Sequence, residues 1–163
     1  MVRAFIALGG NVGDVRATFQ KAIAETCEMV GGRLLARSSD YLTPPWGDER
    51  QANFVNACIE IETCLDPHAL LLALQRIEER FGRDRAHERR WGPRTLDLDL
   101  IAYDDVSLQE PELTLPHSRL FERAFVLMPL AEIAAERVIG GRKVASALAQ
   151  LSTEGIERLE DIV

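Results

Sequence analysis

Thr95-Leu96-Asp97-Leu98-Asp99-Leu100-Ile101-Ala102-Tyr103 alternates apolar and acidic residues and then turns wholly apolar. Successive side chains of a strand point to opposite faces, so Leu96, Leu98 and Leu100 share one face while Asp97 and Asp99 share the other. Side chains two apart on one face stand about 7 Å from each other, which sets the two carboxylates side by side. Upstream, Gln51–Cys64 reads as a second long strand, with Val55, Ala57, Ile59 and Ile61 as its apolar set and Phe54, Asn56 and Cys58 opposite. Between the two strands Asp66 caps a helix with Pro67 at its first position, and Leu70, Leu74, Ile77 and Phe81 form one stripe that ends at Gly82.

The N-terminal part completes a pattern. Val2–Leu8 reads as a strand ending at Gly9-Gly10-Asn11, and Val15, Phe19, Ala22, Ile23, Thr26 and Val30 recur with helical spacing until Gly31-Gly32. Arg33–Leu42 follows as a strand that runs into Thr43-Pro44-Pro45-Trp46-Gly47, where two prolines forbid regular pairing. The order strand, helix, strand, strand, helix, strand is that of a ferredoxin-like (split βαβ) α+β domain. An antiparallel sheet with helices packed on one face and a substrate cleft on the other is the expected architecture. Phe125–Glu136 and Lys143–Leu151 read as further helices around that sandwich, and no repeat or linker divides residues 1–163, so a single domain is expected.

At 163 residues and 47% hydrophobic, the chain can bury a core without a disulfide or structural metal. Cys27, Cys58 and Cys64 show no C-x-x-C spacing and read as buried thiols of a reducing cytoplasm. The apolar stretches Ala69–Leu74 and Ala124–Ala131 fall far short of the about 20 residues a membrane span needs, and Met1–Leu8 leaves no room for a signal-peptide core. A cytoplasmic location is expected. The net charge of −7 speaks against broad binding of nucleic acid or anionic membrane.

Several residue groups can carry chemistry. Asp97 and Asp99 can hold hard divalent cations, Mg²⁺ above all when phosphates complete the shell; alternating acids also keep an edge strand soluble. Just before them, Arg83, Arg85, Arg89, Arg90 and Arg94 outnumber Asp84 and Glu88, and guanidinium forks suit phosphate oxygens. A solvated basic loop is the plainer alternative. Cation-holding and anion-holding groups together are what a magnesium nucleotide requires. Trp91-Gly92-Pro93 lies in the same arginine-rich loop, which is expected to be mobile when empty and to close as a lid.

There is no G-x-x-x-x-G-K-[ST], so a nucleotide would not be held by a P-loop. Gly9-Gly10-Asn11-Val12-Gly13 either offers backbone N–H groups to an anion or serves as a turn. Phe54 and Phe125 either wall a slot for a flat ring, with Asn56 at its edge, or belong to the core. Gln75 and Glu78, one helical turn apart, read alone as a boundary pair, and His117 and Arg123 carry little by themselves.

Arg90-Trp91-Gly92-Pro93-Arg94-Thr95-Leu96-Asp97-Leu98-Asp99 resembles the signature of the 6-hydroxymethyl-7,8-dihydropterin pyrophosphokinase family of folate biosynthesis. Thr43-Pro44-Pro45, Phe54-x-Asn56, Gln75-Arg76-Ile77-Glu78, Leu115-Pro116-His117 and Arg123-x-Phe125-x-Leu127 fall in the same order, so the resemblance spans nearly the whole chain. It implies transfer of pyrophosphate from ATP to the hydroxymethyl group of the reduced pterin, with release of AMP.

Carried over by motif, Asp97 and Asp99 would bind two Mg²⁺ ions, and Arg83 and Arg94 would join them in catalysis. Phe54 and Phe125 would sandwich the pterin and Asn56 would bond its edge, with Thr43, Pro44, Trp46, Trp91 and Asp97 around them. ATP would meet Gln75, Glu78, Leu100, Thr114, His117 and Arg123, together with Arg83, Arg85, Arg90, Trp91 and Arg94. No His or Cys nucleophile is needed, and the expected partners are small molecules met by a monomer. Gly10 departs from the family's usual Ser, Phe54 from its frequent Tyr, and Glu112 from an Arg found in some members. Two other classes compete: a single-strand RNA-binding module, against which the net charge and the paired acids speak, and a metal-dependent phosphoesterase, which has no use for an aromatic slot.

Overall fold

The structure, a computed structural model, describes residues 1–45, 50–82 and 93–162. β1 (Val2–Gly10), α1 (Val15–Met29), β2 (Arg33–Arg37), β3 (Tyr41–Thr43), β4 (Phe54–Thr63), α2 (Pro67–Arg80) and β5 (Asp97–Tyr103) follow one another along the chain. Asp14 and Asp66 cap the two helices by accepting from the backbone N–H of Ala17 and Ala69, and each helix ends at a glycine with positive φ, 58° at Gly31 and 96° at Gly82.

After β5 come a hairpin of β6 (Leu108–Gln109) and β7 (Thr114–Leu115), a 3-10 turn at Leu120–Glu122 and α3 (Ala124–Ala134). A second hairpin, β8 (Val138–Ile139) and β9 (Arg142–Lys143), leads to α4 (Val144–Leu148) and β10 (Glu157–Arg158).

The sheet runs β10-β3-β4-β1-β5, with β2 also paired to β4, and every pairing is antiparallel. β1 is the hub, buried from Ala4 to Gly10 between β4 and β5. The strand expected over Arg33–Leu42 is interrupted: Ser38 leaves the regular ladder and its Oγ accepts from the Cys58 N–H at 2.8 Å, so β2 and β3 pair in turn along β4.

Two apolar layers flank the sheet. Ile6, Leu8, Ala57, Ile59, Ile61, Leu96, Leu98 and Leu100 pack against Phe19 and Ile23 of α1 and Leu70, Leu74 and Ile77 of α2. Each fully buried Leu or Ile stabilises the fold by about 1.5–3 kcal/mol, so these stripes outweigh the helix caps at about 1 kcal/mol each.

The opposite face is not wholly free. Phe5, Ala7, Cys58, Ile101 and Ala102 are covered by Val126, Leu127 and Leu130 of α3 and by Val144 and Ala147 of α4. A bulge causes this: Phe5 pairs with Ala102 and Ile6 with Leu100, so Ile101 is the extra residue, and Ile101 and Ala102 both turn toward α3. The cleft is thereby confined to the end of the sheet that carries Asn56, Gly9 and Asp97. The helix expected over Lys143–Leu151 stops at Leu148, where the chain tightens into i→i+3 bonds from Gln150 and Leu151 before turning back to place β10 on β3. Of the three cysteines expected to be buried, Cys58 is, whereas Cys27 is half-buried and Cys64, just past the end of β4, is exposed.

Candidate active site

Register fixes the floor of the cleft. Asn56 on β4 pairs with Gly9 on β1, and Gly9 pairs with Asp97 on β5, so the three stand in one row across the sheet. The next row on the same face is Cys58, Ala7 and Asp99. Gly9 has no side chain to stand between the amide and the carboxylate, and a Cβ there would lie 2.9 Å from Asn56 Oδ1. Gly10 is needed for a different reason, since a Cβ would come within 2.6 Å of the Thr95 carbonyl oxygen.

Asn56 is buried, and its Nδ2 donates to Thr43 Oγ1 at 2.7 Å. That bond fixes which way the amide points. Thr43 pairs with Phe54, so the aromatic ring, half-buried, rises from the row next to Asn56. Pro44 follows Thr43 and is exposed.

On the β5 side, the carboxylate of Asp97 stands 3.7 Å from Arg94 Nε. Asp99 makes no hydrogen bond among the described residues, and its charge acts on His117 and Arg123. Burial pushes the His117 imidazole below its ordinary range and Asp99 pulls it back up, while Arg123 and Arg119 reinforce the lowering. His117 Nδ1 accepts from the Arg119 N–H at 3.2 Å, which leaves the proton of the neutral ring on Nε2 as a donor. Burial likewise lowers Arg123, against the pull of Asp99 and Asp97. Its Nε is buried with no hydrogen-bond partner among the described residues, and its guanidinium sits 5.6 Å from the centre of the Phe125 ring. A buried donor without an acceptor, beside two carboxylates that would attract cations, fits an anion brought in with its own metal.

Two protein carboxylates on an open face also suit Mg²⁺, which keeps several ligand positions for phosphate oxygens and water. Glu78 lies elsewhere in the section: it is 1% exposed, and its Oε2 accepts from the Leu98 N–H at 2.8 Å, pinning the outer edge of β5 between the two aspartates. Gln75 is half-buried one turn earlier on α2, Thr114 pairs with Gln109 in the β6–β7 hairpin, and the Leu100 side chain belongs to the core, leaving its backbone to meet a ligand. Trp46, Arg83, Arg85, Arg90 and Trp91, with the expected lid, lie outside the described residues.

One positioning residue escaped sequence reasoning. Asn11 Oδ1 accepts from the Arg94 N–H at 2.8 Å, the Asn11 N–H donates to the Arg94 carbonyl at 2.8 Å, and Asn11 Nδ2 donates to Gln51 Oε1 and the Ala52 carbonyl. Gly9 and Gly10 of the glycine segment are paired within β1, and the Asn11 amide braces the chain leading into β4 and the chain leading into β5. An Asn directly after two glycines was the available signal.

A cleft floored by a sheet, with paired carboxylates and a buried arginine at one side and a buried amide beside an aromatic ring at the other, suits a group-transfer enzyme for a phosphate donor and a flat acceptor. Residues 5–135 match the family described as 7,8-dihydro-6-hydroxymethylpterin-pyrophosphokinase, and the chain belongs to that family. It is 50% identical over 160 residues, 98% of this chain and 100% of the relative, to the 2-amino-4-hydroxy-6-hydroxymethyldihydropteridine pyrophosphokinase of Methylorubrum extorquens. The enzyme of the same name from Bacillus subtilis is 45% identical over 80% of this chain and 77% of its own. Among solved structures, Plasmodium falciparum HPPK-DHPS with pterin and p-hydroxybenzoate superposes with a TM-score of 0.74 over 96% of this chain, at 14% identity. The chain spans 46% of that longer protein, and the likeness is one of fold.

Proposed function

We propose that this cleft transfers pyrophosphate from ATP to the hydroxymethyl oxygen of 6-hydroxymethyl-7,8-dihydropterin, a step of folate biosynthesis, through the residues placed above. The oxygen attacks the β-phosphorus, the bond from that phosphorus to the α–β bridging oxygen breaks, and AMP leaves with the electron pair. The row Asn56–Gly9–Asp97 carries the reading, because it sets an amide that can read a ring edge across a bare glycine from a carboxylate suited to a metal.

Asn56, oriented by Thr43, offers its Oδ1 and its second N–H to the pterin edge, and Phe54 and Phe125 offer apolar faces to the ring. Arg123 and Arg94 take up charge that develops on the phosphate oxygens, and the His117 Nε2–H donates to one of them. When bound, Mg²⁺, proposed as two ions on Asp97 and Asp99, neutralises phosphate charge and makes the acceptor hydroxyl more acidic. Positioning and charge neutralisation suffice for this chemistry, so the chain needs no covalent nucleophile. Glu78, Gln75, Leu100 and Thr114 are proposed on the ATP side, with Glu78 acting by holding the edge of β5.

We place the protein in the cytoplasm as a monomer whose residues 1–163 form one domain; no helix among the described residues is long and apolar enough to cross a membrane. The test is product analysis with Mg-ATP and the hydroxymethyl pterin. AMP formed only in the presence of pterin supports the proposal. ADP and phosphate, or ATP turnover indifferent to pterin, overturns it.

A further inference from the structure

A cavity of about 410 Å³ opens between α1, the corner joining β2 to β3, α3 and β10, and none of the residues assigned to the reaction lines it. Three guanidiniums reach it from three elements: Arg16 from α1, Arg37 from β2 and Arg158 from β10. Three acids also line it, and two of them are already engaged within the protein. Asp40, 3% exposed, accepts from Arg16 Nε at 2.9 Å on one oxygen and from Arg37 Nη1 at 3.0 Å on the other. Glu132 accepts from the Tyr41 hydroxyl at 2.6 Å and from the Ser39 N–H at 2.7 Å. Burial raises the Tyr41 pKa first, and the hydrogen bond and negative charge of Glu132 raise it further.

The donors are less fully used. Arg16 spends Nε on Asp40 and Nη2 on the Glu160 carbonyl, Arg37 spends Nη1 on Asp40 and the Ser38 carbonyl, and Arg158 spends Nε on Ser39 Oγ and on an ion pair with Glu132 at 3.6 Å. Arg16 Nη1, Arg37 Nε and Nη2, and both Nη atoms of Arg158 have no hydrogen-bond partner among the described residues. A chamber whose two inner acids are already engaged and whose guanidiniums retain donors has hydrogen-bonding capacity to offer an anion.

We propose that this cavity is a second ligand site, which binds a small phosphorylated molecule through its phosphate. Donors arriving from three elements suit a tetrahedral oxyanion, which turns acceptors in several directions, better than a planar carboxylate, which offers two in one plane. Cavities of about 300–1,000 Å³ are of a size to hold small-molecule ligands. Asp161, exposed on the C-terminal tail, also lines the cavity and opposes the anion. The site adjoins the reaction without sharing it, because the Ser38–Asp40 corner continues directly into β3 and Thr43.

Inorganic phosphate is the probe, titrated in metal-free buffer into ¹⁵N-labelled protein. The backbone amides of Ser39, Asp40 and Arg158 shift in a saturable manner, and acetate at equal concentration moves them at least threefold less. Arg158→Gln, which removes the guanidinium from the most exposed of the three donors, weakens the phosphate titration of Ser39 and Asp40 at least tenfold while the protein melts cooperatively and pyrophosphoryl transfer persists. Asp161→Asn tightens it. The proposal fails if phosphate moves only amides around Asp97, Asp99 and Arg123, if acetate acts as strongly, or if Arg158→Gln in folded protein leaves the titration of Ser39 unchanged.

Discussion

Gly9→Ala adds one methyl group to the floor of the cleft. The backbone tolerates it, since Gly9 lies in a strand and is not among the positive-φ glycines. The new Cβ would meet Asn56 Oδ1 at 2.9 Å, against an ordinary contact of 3.4 Å or more, so the amide must retreat by about 0.5 Å. Asn56 is buried and tethered to Thr43 Oγ1 at 2.7 Å, and a retreat of that size lengthens or breaks the tether. Loss of a buried hydrogen bond costs about 1–3 kcal/mol. If that cost falls on the geometry that reads the pterin, its KM rises roughly five- to 150-fold. Steady-state kinetics with each substrate varied in turn is the assay. The KM for ATP should hold, because the methyl group faces Asn56 and not the phosphate side. Gly10→Ala is the contrasting control: its Cβ strikes the backbone at the Thr95 carbonyl and crowds Val15, so it lowers the melting temperature instead. An unchanged pterin KM in folded Gly9→Ala, or an equal rise for ATP, refutes the reasoning.

Other perturbations separate the roles. Asp97→Asn and Asp99→Asn each remove most turnover while the melting temperature stays within a few degrees, as expected for partly exposed carboxylates; near-normal turnover in both removes the metal assignment. Glu78→Ala strands the Leu98 N–H at the edge of β5 and costs about 1–3 kcal/mol in denaturant unfolding, whereas a merely peripheral ATP contact would leave stability alone. Asn11→Ala releases both chains it braces and lowers kcat with little loss of melting temperature; an unaltered kcat would show the brace to be dispensable. The His68–Glu110 bond at 2.5 Å raises His68 above its usual 6.5 and lowers Glu110 below 4.5, with Glu112 and Asp66 also favouring charged His68. The pair's contribution is therefore present between those ordinary values, is lost on the alkaline side as pH rises through the folded His68 value, and is lost on the acid side as pH falls through the folded Glu110 value. An NMR titration of His68 reads it directly, and Glu110→Gln moves His68 back toward 6.5.

Strand alternation made the cleft floor legible. A period of two placed Asp97, Asp99 and Asn56 opposite the apolar sets before any pairing was known, and the sheet register then set Asn56 and Asp97 in one row. The bulge at Ile101 was not legible, because an apolar run gives no sign of which residue is the extra one, and with it went the covering of the far face by α3. His117 and Arg123 carried little by spacing and took their expected ATP role from the resemblance alone; the fold adds a physical reason, bringing both within the field of Asp99. Glu78 reads from spacing as one of a boundary pair beside the stripe and is fully buried; helical spacing alone cannot tell a carboxylate at the rim of a stripe from one that captures a strand edge. The interrupted strand at Ser38 was hidden because a serine whose hydroxyl replaces a ladder partner looks like any other strand serine.

The paired bonds between Asn11 and Arg94 and the bond from Glu78 to Leu98 anchor β5 at its first residues. A one-residue slip of that strand would turn both aspartates into the core and present leucines to the cleft. These anchors act as a phase lock: they keep the alternation of β5 in step with that of β4, so that both carboxylates stay on the face that carries Asn56.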